Sequence, residues 1–240
     1  FTSWHRAERQ TSKKIAKNQD LRGLADYSPE DLDRIREDDR QELRRGDEPR
    51  FWEDVTVGEE LPFVVKGPTS QFQRSIGEGG GAGWPRGDPG DWSHTHANVF
   101  KLFERHPGLP FVNEWGIPEV PVVIHNSNER SQRYLGLPGA YDAGYQRINW
   151  TVHMLTNWAG DAGFLHRLTI RFPSFNIMGD TTWCYGRVAG KRQDEDRHIV
   201  DVEVWNENQL GVRVTAGSAE VILPSRTAPG RPTWPVESPG

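Results

Sequence analysis

Two periods organise the chain. Over residues 141–160, Ile148, Val152, Leu155 and Ala159 recur at helical spacing, and Tyr145, Trp150, Met154 and Trp158 cover most of the remaining circumference. A helix that is apolar nearly all round is a buried helix, and Gly160 and Gly163 can end it. From Phe164 the period falls to two. Leu168, Ile170 and Phe172 alternate with Thr169 and Arg171, Val200, Val202 and Val204 alternate with Asp201 and Glu203, Val212 and Val214 flank Arg213, and Val221 and Leu223 finish the set. Four strands are predicted after one helix. The polar connectors 193–196 and 206–209 are of hairpin length, so neighbouring strands should run antiparallel.

Ahead of that helix the patterns are shorter. Residues 1–50 are mostly charged and polar and read as a charged helical N-terminal extension. Ser28 is the N-cap, Pro29 the first helical residue and Asp31 the acidic third position of a helix over 29–45, which Gly46 ends. Its apolar side is thin (Leu32, Ile35, Leu43), so it needs a partner surface, either its own domain or another subunit. The folded domain, 51–225, begins at Phe51 and Trp52 with an acidic turn and a short strand over 63–65. Thr69 caps a short helix to Ile76. A glycine-rich loop over 77–90 and a middle block over 91–119, with a short helix over 98–105, read together as an insertion. Residues 226–240 are a Pro-rich tail.

One buried helix followed by an antiparallel meander, with an extra strand from before the helix, is a two-layer α+β solution in which a curved sheet wraps a central helix. This is the hot-dog arrangement. Composition narrows the class further. Hydrophobic residues are 35% of the 240, below the usual soluble average, and 25 Gly with 17 Pro imply many loops around a modest core. The net charge of −5 supplies no basic field for nucleic acid. Cys184, the one cysteine, allows neither an internal disulfide nor a multi-cysteine zinc site, which suits a reducing compartment, so a cytoplasmic location is expected. No apolar run approaches the roughly 20 residues of a membrane span.

Several motifs, in order, resemble the MaoC-like dehydratases, or (R)-specific enoyl-CoA hydratases. They are Phe51-Trp52-Glu53-Asp54-Val55-x-Val57-Gly58-Glu59, then Ile124-His125, then Gly136-Leu137-Pro138-Gly139 leading to Gly144. Arg171-Phe172-x-x-Phe175-x-x-x-Gly179-Asp180-Thr181, Gly186-Arg187-Val188-x-Gly190-Lys191 and Val204-x-Asn206-Glu207-Asn208-Gln209-x-Gly211 complete the set. The resemblance covers about residues 51–225. It implies a hot-dog unit that dimerises, with itself or with a related hot-dog chain, and binds acyl thioesters of coenzyme A at the subunit junction. Coenzyme A would be part of the substrate, and no separate cofactor is implied.

Adding water across an enoyl thioester needs a base for the water, a proton donor to the α-carbon and stabilisation of the oxygen that becomes an enolate. A helix N-terminus offers unpaired N–H groups and the positive end of the macrodipole, which makes Gly144 the candidate oxyanion position. The resemblance implies an Asp-x-Asn-Pro-x-His motif before the helix, and His125 matches its histidine. Val120 stands where the motif has Asp, and Glu119, one residue earlier, is the carboxylate within reach of that role. Asp91 and His96 form an alternative pair with better spacing but a greater distance from the helix. Asp142 reads as a cap of the helix or as an acid near the thioester. His94 and His96 are two ligands without a third, so no metal is expected. His153 reads as a core histidine, and Trp150, Trp158, Trp183 and Trp205 as core or dimer interface. The functions that follow are an acyl-CoA hydratase or dehydratase, a non-catalytic subunit paired with an active homologue, or an acyl-CoA thioesterase.

Overall fold

Strict alternation makes β6 (Arg197–Asn208) the spine of the fold: Val200, Val202, Val204 and Asn206 are buried while Asp201, Glu203, Trp205 and Glu207 on the other face are half-buried. The computed structural model describes residues 24–70, 101, 103–108, 111–112, 115–116, 118–119 and 127–227. The chain divides into two units, Phe1–Ser70 with Asp142–Gly240, and Gln71–Tyr141.

The larger unit holds a five-stranded antiparallel sheet of β1 (Val64–Lys66), β4 (Phe164–Arg171), β5 (Thr182–Asp194), β6 and β7 (Arg213–Ile222), in the order β1-β5-β6-β7-β4. A 16-residue helix over Gly144–Ala159, here α2, lies on one face of it. Met154, Leu155, Trp158 and Ala159 pack against Val188, Val200, Val202, Val204, Ala219 and Val221, with Leu165 and Leu168 at the margin. That contact is the core.

Three details differ from the sequence pattern. The buried stripe of α2 runs through Arg147, Thr151, Met154, Leu155 and Trp158, while Ile148 and Val152 are half-buried and Asn149 and Thr156 exposed, so the helix is one-sided. The last two predicted runs, around Val214 and Val221, are one strand, β7, whose middle residues Ala216, Gly217, Ser218 and Ala219 are too small to show a hydrophobic period. The longest strand, β5, shows no period either, because its core face carries Thr182, Cys184, Gly186 and Val188. Gly186 makes room for the core side chains above it: a Cβ there would lie 2.9 Å from Leu61 Cδ2 and 3.1 Å from Met154 Cε, and those side-chain ends would have to shift.

The N-terminal extension finds its partner surface on its own domain. Ser28 Oγ accepts from Asp31 N (3.1 Å) and Asp31 Oδ2 accepts from Ser28 N (3.2 Å), starting α1 (Pro29–Arg40) as a capping box. Ile35 packs on Val65 and Trp183 together with Tyr27, Leu32, Phe63 and Tyr185, on the sheet face away from α2. Trp183 Nε1 donates to Asp38 Oδ2 (2.9 Å). The helix stops at Arg40, not Arg45, because the next residues reach the end of α2. Arg45 N donates to Asn157 O (3.1 Å) and its Nε to Trp158 O (3.0 Å), and Asp161 N donates to Gly46 O (2.7 Å). Carbonyls at a helix C-terminus have no partner within the helix, and a cation suits that end of the dipole.

His153 is not a core histidine. Its side chain is 38% exposed and its Nε2 lies 2.9 Å from Glu42 Oε1 of the extension. Trp158 lies in the core with Trp150 against it, whereas Trp183 belongs to the opposite face and Trp205 stacks on Tyr185 at 5.7 Å.

In the smaller unit, β2 (Phe111–Val112) pairs antiparallel with β3 (Pro118–Glu119), and residues 101 and 103–105 are helical. A helical turn over Asn128–Arg130, capped by Ser127 Oγ, continues into a π-helical turn over Ser131–Leu135 that Gly136 closes at φ 67°. The expected insertion at 77–119 falls within this unit. The helix expected after Thr69 lies outside the described residues; Thr69 itself is buried and donates to Asp180 O (3.1 Å).

Candidate active site

At the start of α2 the chain buries a carboxyl, a guanidinium and two amides together. Ala143 is the N-cap residue and has no side-chain oxygen, so no side chain caps α2; Gln146 Oε1 instead reaches back to accept from Ala143 N (3.0 Å). Asp142 is therefore not the cap. Its side chain is fully buried and turns to Arg147, whose Nε lies 2.9 Å from Asp142 Oδ2. Asn176 Nδ2 donates to the same oxygen (3.4 Å), and Thr182 Oγ1 fixes Asn176 by donating to its Oδ1 (3.1 Å). Asp142 Oδ1 has no hydrogen-bond partner among the described residues.

Burial pushes the Asp142 carboxyl up to about 6, against the pull of the Arg147 guanidinium and the Asn176 amide, with the charge of Asp180 adding to the rise. Burial also raises Asp180, but that carboxylate is fully engaged. It accepts from Ile177 N (2.9 Å), Asn208 Nδ2 (3.3 Å) and Gln209 Nε2 (2.7 Å), and so holds the turn that leads into β5. Asp180 is structural, whereas Asp142 Oδ1 has no such partners among the described residues.

The Asp142 shift has a measurable sign. The folded protein keeps this proton up to about pH 6, whereas the unfolded chain releases it near the ordinary value of 3.8. Between those values the folded state binds more protons, so the stability contributed here falls as pH rises through the window. Asp142→Asn cannot ionise and removes the slope. Relative to wild type it is expected to gain about 3 kcal/mol between about pH 4 and about pH 7, on top of any constant offset. Urea midpoints of the two proteins measured across that range check this, and parallel curves contradict it.

No protein-family model and no curated protein matches the chain. Among solved structures it is similar to the (R)-hydratase PhaJ1 from Pseudomonas aeruginosa, at 12% identity over 74% of this chain and 87% of that one, with a TM-score of 0.47. The (R)-hydratase from A. caviae is similar at 13% identity over 72% of this chain and 99% of that one, TM-score 0.47. So is the MaoC-like dehydratase from Rhodospirillum rubrum, at 15% identity over 72% of this chain and 96% of that one, TM-score 0.45. The sheet order and the helix packed on its inner face decide the class.

The chain has the hot-dog fold.

Within the hot-dog unit, Asp142 and Gly144 lie two residues apart at the start of α2. A Cβ on Gly144 would lie 3.1 Å from Phe172 Cε2, so the ring of Phe172 borders the helix start and a side chain there would crowd it. Glu119 ends β3 in the other unit. His125, Asp91 and His96 lie outside the described residues. Among the described residues no group of three or more His, Cys, Asp or Glu side chains is placed to hold a metal ion. No helix among them is long and apolar enough to cross a membrane.

Arg147 and Asn176 are the site residues that pattern reading missed. The signal for Arg147 was present: it is the one Lys or Arg in the sixteen residues of α2. A cation on a buried helical face needs a carboxylate, and Asp142 precedes it closely. Asn176 left no such signal, because a polar residue in a loop is the ordinary case.

Proposed function

We propose that the chain is a hydratase or dehydratase acting on an acyl-CoA thioester, adding water reversibly to an enoyl group. The observation that carries this reading is a fully buried carboxyl two residues ahead of an uncapped helix start. The amide end of α2 would accept the thioester carbonyl oxygen, where positive partial charge stabilises the developing enolate. A hydroxyl oxygen from water bonds to the β-carbon, the C=C electron pair moves toward the carbonyl oxygen, and the enolate then takes a proton at the α-carbon. The proton that the water loses restores the donor. Asp142, poised near neutrality, suits the proton transfers, since an acid–base group works best with its pKa close to the working pH. The resemblance implies that His125 holds the water and that a dimer completes the acyl tunnel, while Glu119, one residue before the position where the family has Asp, would stand in for that carboxylate.

The test is the loss of enoyl absorbance with purified protein and crotonyl-CoA or a longer 2-enoyl-CoA. Asp142→Asn is expected to lower kcat by about 100-fold, the usual scale for a general acid–base group, with His125→Ala comparably low. Release of free thiol in place of hydration would assign thioesterase chemistry. Wild-type protein that hydrates nothing alone would point to a subunit role.

A further inference from the structure

Arg147 does more than neutralise Asp142. One of its terminal nitrogens, Nη1, donates to Ser174 O (3.0 Å) and to Val214 O, its Nε faces Asp142, and its guanidinium carbon sits 4.5 Å from the centre of the Phe172 ring. Four stretches of chain thus meet at one side chain: the approach to α2, the first turns of α2, the segment after β4 and the start of β7. The contacts use Arg's particular shape, with a planar fork of donors at the edges and a weakly hydrated face against an aromatic ring. Around it, Asp142 Oδ1, Ser174 Oγ and Thr215 Oγ1 are buried and have no hydrogen-bond partner among the described residues. Each belongs to a residue that the guanidinium binds or to its neighbour in the chain.

We infer that Arg147 is the positioning residue of this site: it orients the Asp142 carboxyl by setting its charge against Oδ2 as an ion pair, not an aligned hydrogen bond, with Oδ1 unpartnered among the described residues, and it seats Phe172 against Gly144. Its influence on the Asp142 proton is electrostatic and directional. The groups facing that carboxyl are Arg147 from α2, and Asp180 and Asn176 from the segment before β5, while the Val214 carbonyl of β7 meets Arg147. Arg147 is the one cation of the set, and it opposes both burial and the charge of Asp180. A residue that merely glued the segments together would change stability without changing how Asp142 titrates.

The inference rests on the hydratase reading only for the meaning of the site, and its decisive test needs no substrate. The stability difference between proteins with and without Asp142→Asn is measured against pH in three backgrounds: wild type, Arg147→Lys and Arg147→Gln. In wild type the difference should change between the ordinary value of 3.8 and about 6, and its upper bend, near 6, marks the midpoint of proton release from the folded protein. In Arg147→Gln the midpoint is expected to rise by about one pH unit, a tenfold change in proton affinity, and in Arg147→Lys by less, because charge remains but the fork is lost. Arg147→Lys keeps the charge and serves if the Gln variant does not fold. In an active enzyme, the limb of the kcat–pH profile should move with the same midpoint. A midpoint unmoved in the variants that fold overturns the inference, whatever their loss of stability. A midpoint that moves in a protein with no hydratase activity leaves Arg147 as the positioning residue and removes the hydratase reading alone.

Discussion

A chain starting at Phe51 is expected to lose cooperative unfolding under conditions where the full chain melts in one transition. The extension covers the outer face of β1 and β5 through Ile35, which is 3% exposed, and its loss uncovers Val65 and Trp183. It also strips the end of α2. Arg45 leaves the carbonyls of Asn157 and Trp158, and Glu42 leaves Asn157 Nδ2 (2.9 Å) and His153. Truncating one buried Ile to Ala costs about 2–5 kcal/mol, and the whole stability of a domain is about 5–15 kcal/mol. Losing the anchor and the helix-end contacts together therefore consumes much of the total. Ile35→Ala in the full chain gives the graded version, a loss of about 2–5 kcal/mol in urea melts. If residues 51–240 unfold with the midpoint and slope of the full chain, the extension is not part of the hot-dog unit.

Gly217→Ala is expected to be the most damaging single methyl in the sheet. A Cβ at this position would lie 1.9 Å from Thr169 O and 3.0 Å from Thr169 C, so β4 would have to move by about an ångström, and backbone does not yield as a side chain end does. β4 carries Leu165 and Leu168 against the core and pairs with β7 over Phe164–Arg171, so the displacement propagates into packing. Overpacking usually costs about 1–3 kcal/mol, and a clash with an opposing strand belongs at or above the top of that range. Gly190→Ala is the control. Its Cβ would meet Asp201 Oδ2 at 3.6 Å, an ordinary contact, and the change should stay within about 0.5 kcal/mol. Urea midpoints rank the two, and amide exchange in β4 should rise only in Gly217→Ala. Equal midpoints would mean that β4 has slack that its close approach to Gly217 does not suggest.

Much of the fold was legible where side chains carry a period. The helix over Gly144–Ala159, the strands around Leu168 and Val202, and the cap at Ser28 all follow from spacing and local chemistry. Legibility failed where packing demands small residues. Gly217 must lack a side chain against the Thr169 carbonyl and Gly186 leaves room for Leu61 and Met154, and the missing side chain is the same reason that no pattern marks them. It also failed where a segment stops for a distant reason: nothing local ends α1 at Arg40, but the carbonyls at the end of α2 draw Arg45 away.

The site divides along the same line. Gly144 and Asp142 could be named from their place before a buried helix, because a helix start has a chemistry of its own. Their partners could not. Whether Asp142 caps the helix or turns inward depends on Arg147, Asn176 and Thr182, which come from three elements and meet only after the sheet has curled around α2. Residue type and spacing alone determine the helix over Gly144–Ala159, the strands that carry a hydrophobic period, the cap at Ser28 and the α+β class, since these depend on neighbours within a few residues. Which carboxyl is buried, which cation faces it and where its proton is held are decided by tertiary structure, because desolvation and charge act through space on groups that sequence separates.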